Sequence, residues 1–240
     1  MKFIKKYIKS TSLFLSIRKN LNNKNDRDSF IRAQLKKIQA GKLLLDAGCG
    51  NQPYREFCSH LDYKAQDFGQ YSTDFKKTIG NFFEEKYKYG HLDYVGDIWD
   101  IKEQSNTFDV ILCTEVFEHI PHPIETIKEF GRLLKKDGKL ILTAPSNCFR
   151  HMDPYFFYSG FSDRWYEKFL VENDFKIESI ITVGDYYSFL SVEMFRTAIS
   201  HSIFAKLVLL PAFLYFYSKK KTAISVNTLC MGYHIVAIKI

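Results

Sequence analysis

Apolar residues fall in short runs along this chain, and the runs alternate with stretches of helical period. Asp26 to Gln39 carries Phe30, Ile31, Leu35 and Ile38 at roughly helical spacing, which predicts a helix that Gly41 stops. Leu43–Leu45 then begins a short buried strand that runs into Asp46-Ala-Gly-Cys-Gly-Asn. A second helix is predicted over Tyr54 to His60, with Pro53 near its first turn, where a missing N–H does no harm. Strands follow at Asp62 to Phe68, Asp93 to Ile98, Phe108 to Thr114 and Lys139 to Ala144. An amphipathic helix, Pro123 to Leu134, precedes the last of these, and Asp137-Gly138 makes the turn into it. Past an aromatic and charged loop, Ser146 to Phe161, come a helix at Ser162–Glu172, a strand at Phe175–Val183 and a closing strand at Gly232–Ile240. Gln70 to Gly90 shows only weak periodicity and receives no assignment. Repeated alternation of strand and helix predicts an α/β fold with a mostly parallel sheet covered on both faces.

Composition narrows the picture. With 240 residues, 46% of them hydrophobic, the chain can fill a full core, and wholesale disorder is excluded. Five scattered cysteines, never spaced Cys-x-x-Cys, form neither a disulfide framework nor a zinc site, and they suit a reducing cytoplasm. The net charge of +7 is not gathered into a nucleic-acid-binding arm, and no nucleic-acid partner is expected. Residues 1–40 read as a basic, amphipathic helical segment and 41–240 as the main domain. The first 25 residues hold Lys2, Lys5, Lys6, Lys9, Arg18, Lys19 and Lys24 and no acid. They suit either a helix on an anionic membrane surface or an ordinary helix covering the fold. They lack the long apolar core and small-residue cleavage site of a signal peptide.

The turn after the first strand carries the chemistry. Gly48 and Gly50 let backbone approach a ligand, and Asp67 ends the second strand 17 positions after Gly50. A dinucleotide fingerprint wants a third glycine where this chain has Pro53. Asp46 would also lie beside a doubly negative pyrophosphate, at a cost in like-charge repulsion. S-adenosyl-L-methionine has no phosphate but carries an ammonium and a sulfonium, and an acid beside the turn suits it.

Leu-Asp-Ala-Gly-Cys-Gly-Asn (45–51), Gly-Asp-Ile (96–98), Phe-Asp-Val-Ile-Leu-Cys-Thr-Glu-Val-Phe-Glu-His-Ile (108–120) and Leu-Leu-Lys-Lys-Asp-Gly-Lys-Leu-Ile-Leu-Thr-Ala-Pro (133–145) resemble, in order, the motifs of class I S-adenosylmethionine-dependent methyltransferases. The match covers about Lys42–Val183, and it is nearest a branch found with bacterial cell-surface polysaccharide genes. Like that branch, the chain has Pro-Tyr closely after Gly-Cys-Gly, and a His and an Asp-Pro after the fifth strand. The family turn Leu-Lys-Pro-Gly-Gly is here Lys-Lys-Asp-Gly-Lys, a departure in a surface turn. The resemblance implies a Rossmann-like, doubly wound sheet of seven strands with an antiparallel last strand and helices on both faces. It implies that Asp46, Gly48, Cys49 and Gly50 hold the methionine end, and that Asp67, with Phe68 beside it, takes the ribose hydroxyls. Asp97 and Ile98 would border the adenine, Thr114 and Glu115 would lie near the methionine ammonium, and His119 is a further cofactor-binding candidate. Bland readings stand beside these: Asp67 as a turn residue, Asp100 in place of Asp97, His119 as a structural hydrogen-bonding histidine, Trp99 as core.

Ligands in such folds bind at the carboxyl ends of the strands, so the loop after the fifth strand overhangs the reactive methyl. It offers His151 and Asp153 as a base with its orienting carboxylate, with Tyr155 nearby; equally, these residues can serve only to shape the loop. No metal is expected. The acceptor classes that fit are a small-molecule, glycan or lipid-linked hydroxyl. An apolar helical insertion at about 199–221 contains Ile203–Tyr217, which reads as a lid, a core helix or a membrane contact. It is shorter than the roughly 20 residues a spanning helix needs. With Lys219–Lys221 it suggests peripheral contact with an anionic membrane, at its inner face. The competing readings are an NAD-dependent oxidoreductase or epimerase and a cofactor-binding scaffold without catalysis.

Overall fold

The computed structural model describes residues 23–71 and 88–240. The predicted basic helix at the start of the chain and most of the unassigned Gln70–Gly90 stretch lie outside the described residues. The chain divides into two compact units. One, residues 30–182 and 232–240, holds the sheet; the other includes residues 183–231.

The sheet is built on β1 (Leu43–Ala47), which pairs in parallel with β2 (Asp62–Asp67) on one side and β4 (Phe108–Thr114) on the other. Outside β2 lies β3 (Tyr94–Val95), and beyond β4 come β5 (Leu134–Pro145), β7 (Gly232–Lys239) and β6 (Phe175–Val183). The order is therefore 3-2-1-4-5-7-6, with six parallel strands and β7 antiparallel. Winding reverses between β1 and β4, and the crevice at the carboxyl ends of those two strands is where such sheets take ligands. Leu44 and Leu45 of β1, Ile111 and Leu112 of β4 and Leu140 to Leu142 of β5 are fully buried, as expected of central parallel strands.

Helix α1 (Asn23–Leu35) sends Ile31 and Leu35 into the same core as Leu44, Tyr54, Cys58 and Ile141, and Phe30 stacks on His234 of β7 at 4.6 Å. The four-residue spacing of Ile31 and Leu35 puts both on one helix face. Helix α2 (Pro123–Leu133) starts on a proline and buries Ile127, Phe130 and Leu133. Helix α3 (Asp163–Val171) starts at Ser162, whose side chain accepts from the Trp165 N–H.

Three expectations change. The helix read over Tyr54–His60 contracts to one 3₁₀ turn, Arg55–Cys58, and the Leu61 N–H bonds back to the Cys58 carbonyl before β2 begins at Asp62. The third strand keeps only Tyr94 and Val95, since only Gln66 and Asp67 of β2 reach across to it. The Asp137-Gly138 turn is absorbed as an irregularity inside β5. The register jumps from Phe108–Leu134 to Val110–Lys139, with Asp137 at φ +62°.

In the second unit, three helices stand between β6 and β7: α4 (Tyr186–Ser200), α5 (Ile203–Tyr217) and α6 (Ala223–Thr228). The insertion is thus wider than the 199–221 read from its apolar stretch. Asp185 caps α4 by accepting from the Ser188 N–H at 2.9 Å, and the Ser225 hydroxyl of α6 donates to its other oxygen at 2.6 Å. Phe195 and Tyr187 of α4 meet Phe213 and Phe216 of α5, with centroids 5.9 and 6.4 Å apart.

Candidate active site

The carboxyl ends of β1, β2 and β4 and the loop after β5 converge. Asp46 is 1% exposed at the end of β1, where Tyr63 donates its hydroxyl to Oδ2 at 2.5 Å. Burial pushes the Asp46 carboxyl up to about 7; the Tyr63 hydrogen bond opposes that shift and the nearby Asp67 charge adds to it. Asp67, itself buried, is raised by burial too, against hydrogen bonds from the Gly50 N–H to Oδ2 at 2.9 Å and the Gly69 N–H to Oδ1 at 3.2 Å. Two buried acids, one of them raised further by the charge of the other, suit a cation better than an anion.

The glycine turn is held by a residue that the sequence reading passed over. Gln66, 1% exposed, accepts from the Gly48 N–H at its side-chain oxygen (3.1 Å) and donates its amide to the Gly96 carbonyl (2.7 Å). Its own backbone carbonyl accepts from the N–H groups of Gly48 and Cys49, both at 2.9 Å. One side chain thus spans the first turn and the turn before Asp97. Gln66→Leu keeps the size but leaves the Gly48 N–H with only its backbone bond. We expect this variant to lose about 1–3 kcal/mol of stability, and to bind S-adenosylhomocysteine more weakly. Urea unfolding with calorimetric titration checks both; unchanged affinity would remove Gln66 from the site. Gln52, at φ +55°, plays a similar part by donating to the His91 carbonyl at 2.6 Å and accepting from Arg55 at 2.8 Å. No motif signalled either glutamine; the pairing of β2 with β1 places Gln66, and the turn after β1 brings Gln52 to His91 and Arg55.

Each sequence-named residue has a definite place. Gly48 and Gly50 both take positive φ, +70° and +54°. Cys49 is buried and its thiol is driven up by burial and by Asp46 and Asp67, so it is inert as a nucleophile. Phe68 meets the Tyr155 ring edge-on at 4.7 Å, joining the ends of β2 and the post-β5 loop. Ile98 is buried, as a wall residue requires, whereas Asp97 is exposed. Trp99 packs edge-on against His122 at 4.9 Å. Thr114 ends β4, and Glu115 follows at φ +55°, taking the Thr143 hydroxyl on Oε1 at 3.0 Å.

The post-β5 loop is tied to the β4 end. The N–H groups of Phe157 and Tyr158 donate to the Glu118 carbonyl, and His119 Nδ1 lies 2.6 Å from the Tyr155 carbonyl. A carbonyl only accepts, so Nδ1 carries the proton and Nε2 the lone pair in neutral His119. His151 is built alike: its Nδ1 lies 2.8 Å from the Phe149 carbonyl, and its ring stands edge-on to His119 at 4.6 Å. The expected orienting carboxylate is therefore replaced at Nδ1 by a backbone carbonyl. Asp153 Oδ1 instead accepts from Arg150 Nε at 2.7 Å, because three residues of spacing bring that long cation onto it. Among the described residues, Glu118, His119 and His151 offer ligating atoms within 4.8 Å of one another, a set able to hold a divalent cation where no metal was expected.

The strand order and the acids at the ends of β1 and β2 are those of a nucleotide-cofactor domain with room for a cationic group. A family model described as a methyltransferase domain matches residues 18–179. The chain belongs to that family, the class I S-adenosylmethionine-dependent methyltransferases, and S-adenosyl-L-methionine is its cofactor. A ubiquinone biosynthesis O-methyltransferase of Xanthomonas oryzae pv. oryzae (strain PXO99A) is 32% identical over 106 residues, 43% of each chain. The chain therefore spans less than half the length of such curated relatives. Among solved structures, the cyclase SpnF superposes with a TM-score of 0.55 at 16% identity, over 89% of this chain and 81% of that one. A geranyl diphosphate methyltransferase in complex with SAM does so at 0.53 and 11%, over 90% and 85%. A cyclase on the same fold means that architecture alone does not specify the reaction.

Proposed function

We propose that the chain methylates an oxygen of a small-molecule, glycan or lipid-linked acceptor seated against the post-β5 loop. Asp46 and the Gly48–Gly50 turn would hold the methionine end of the cofactor, Asp67 the ribose, and Ile98 one face of the adenine. The residues fit that ligand: the buried acids Asp46 and Asp67 suit a cation, and Gly48 and Gly50 hold the turn between them at positive φ. When bound, the cofactor supplies an electrophilic methyl on a sulfonium. Holding acceptor and methyl in line can supply roughly 7–11 kcal/mol, so positioning by Phe68, Tyr155 and the loop dominates.

The observation that carries the oxygen reading is His151. Its Nδ1–H is committed to the Phe149 carbonyl, which leaves Nε2 as the lone-pair nitrogen that accepts the acceptor's hydroxyl proton. The relatives described as O-methyltransferases, at about 30% identity, support the same atom. Transfer of labelled methyl groups to a panel of catechols, sugars and prenylated phenols tests it. We expect His151→Ala to slow transfer about 10²–10⁴-fold and to flatten the acidic limb of the pH profile, with unchanged affinity for S-adenosylhomocysteine. Lost cofactor affinity would sink the base assignment, and a chain that binds NAD alone would sink the whole reading. A second reading rests on the Glu118–His119–His151 cluster, where a divalent cation would lower the hydroxyl's pKa in place of a base. Transfer abolished by chelation and restored by Mg²⁺ or Zn²⁺ would favour it.

A further inference from the structure

Helix α5 is apolar on both sides. Ala205, Leu209, Ala212, Phe213 and Phe216 lie on the half-buried to buried side, and α5 packs against α4. Phe204, Leu207, Val208, Pro211, Leu214 and Tyr215 recur at i, i+3, i+4 and i+7 on the other side and stand exposed, Phe204 at 73% and Leu207 at 67%. Soluble surfaces scatter such residues singly; a contiguous row marks an interaction face. Ile224 of α6, 80% exposed, adds to the apolar surface of the same unit.

Charge selects the partner. From His201 to Ile240 the chain has no acidic residue, while exposed Lys206, Lys219, Lys220 and Lys221 sit within or just past α5. Lys219 Nζ lies 4.1 Å over the Tyr215 ring, so a cation and an interfacial aromatic already stand together. A second copy of this face would bring lysines to lysines with no acid in the segment to answer them. An anionic bilayer answers both the apolar row and the lysines. Among the described residues no helix is long and apolar enough to cross a membrane, and the 15 residues of α5 suit lying in the interface plane.

We propose that α5 docks the protein on an anionic lipid surface, its Phe204–Leu207–Val208–Pro211–Leu214–Tyr215 row among the acyl chains and Lys219–Lys221 on the headgroups. The inference is independent of the methyl-transfer reading. Flotation of the full chain with phosphatidylcholine vesicles, with and without phosphatidylglycerol, tests it at low and high salt. At low salt the wild-type chain floats with the anionic vesicles, and salt weakens the association. Lys219→Glu/Lys220→Glu/Lys221→Glu lowers binding about 100-fold or more, on the order of a few kcal/mol for three lysines. Leu207→Glu/Leu214→Glu abolishes it, while S-adenosylhomocysteine affinity stays at the wild-type value and so reports an intact fold. Three results would overturn the proposal: no flotation at low salt, flotation of the Leu207→Glu/Leu214→Glu variant like wild type, or a lipid-free dimer that this variant dissociates.

Discussion

Asp46→Asn should stabilise the ligand-free protein and at the same time cripple its hold on the cofactor. Asparagine keeps the acceptor for the Tyr63 hydroxyl but removes a carboxyl whose pKa the buried site raises to about 7. A carboxyl whose folded-state pKa lies above its unfolded value holds an extra proton in the folded protein between about pH 4 and 7. That contribution to stability is fully present at low pH and is lost as pH rises through about 7. A shift from 3.8 to about 7 corresponds to a contribution of up to about 4 kcal/mol. The variant escapes the loss, so at pH 8 it should unfold about 1–3 kcal/mol later than wild type, with a smaller difference at pH 6. Its affinity for S-adenosylhomocysteine should fall about 10- to 100-fold, the loss of one charge-assisted contact to the ammonium. Wild-type affinity should rise with pH through about 7, as Asp46 ionises, and titration calorimetry in buffers of different ionisation enthalpy should detect a released proton. Parallel stability curves for the two proteins across that pH range would show that the Asp46 carboxyl is not raised in the folded protein.

Gly48→Ala carries the other large effect. Gly48 holds φ +70°, and an added Cβ would stand 2.5 and 2.7 Å from the two methyl groups of Val116. The left-handed backbone costs roughly 1–2 kcal/mol for any residue with a Cβ, and overpacking against a stiff β-branched neighbour typically adds about 1–3 kcal/mol. Urea unfolding should show a loss of about 2–5 kcal/mol, with S-adenosylhomocysteine binding reduced because the turn must shift. The two causes separate in a double-mutant cycle. In Gly48→Ala/Val116→Ala the methyl clash is gone and only the backbone strain persists, so the pair should couple favourably by about 1 kcal/mol or more. Additive losses would mean that Val116 yields freely and that strain alone sets the cost.

What the sequence determined is what depends on local pattern. Phe108–Thr114 and Phe175–Val183 became strands with those same ends, the first as a mostly buried apolar run and the second as an edge strand that mixes apolar and polar residues. The glycine turn, with one acid before it and one at the end of the next strand, was legible as well: spacing and residue type carry its chemistry. The membership of the family followed from motifs in order.

Other features were decided only when distant segments met. Gln66 and Tyr63 became part of the site because β2 lies beside β1 in a register that pairs Ala47 with Gln66 and Leu44 with Tyr63. Nothing in the residues around them reports a partner 18 positions away. Asp153 was drawn to Arg150, and a backbone carbonyl took the place meant for it beside His151, since loop geometry rather than proximity in sequence selects the acceptor. α4 escaped the sequence reading because its scattered polar residues blur the helical period, and packing against α5 supplies what the pattern lacks. The Asp46 pKa belongs to this second group as well. Its acid is plain in the sequence, but the burial that moves it to about 7 exists only once β1, β2 and β4 close around it.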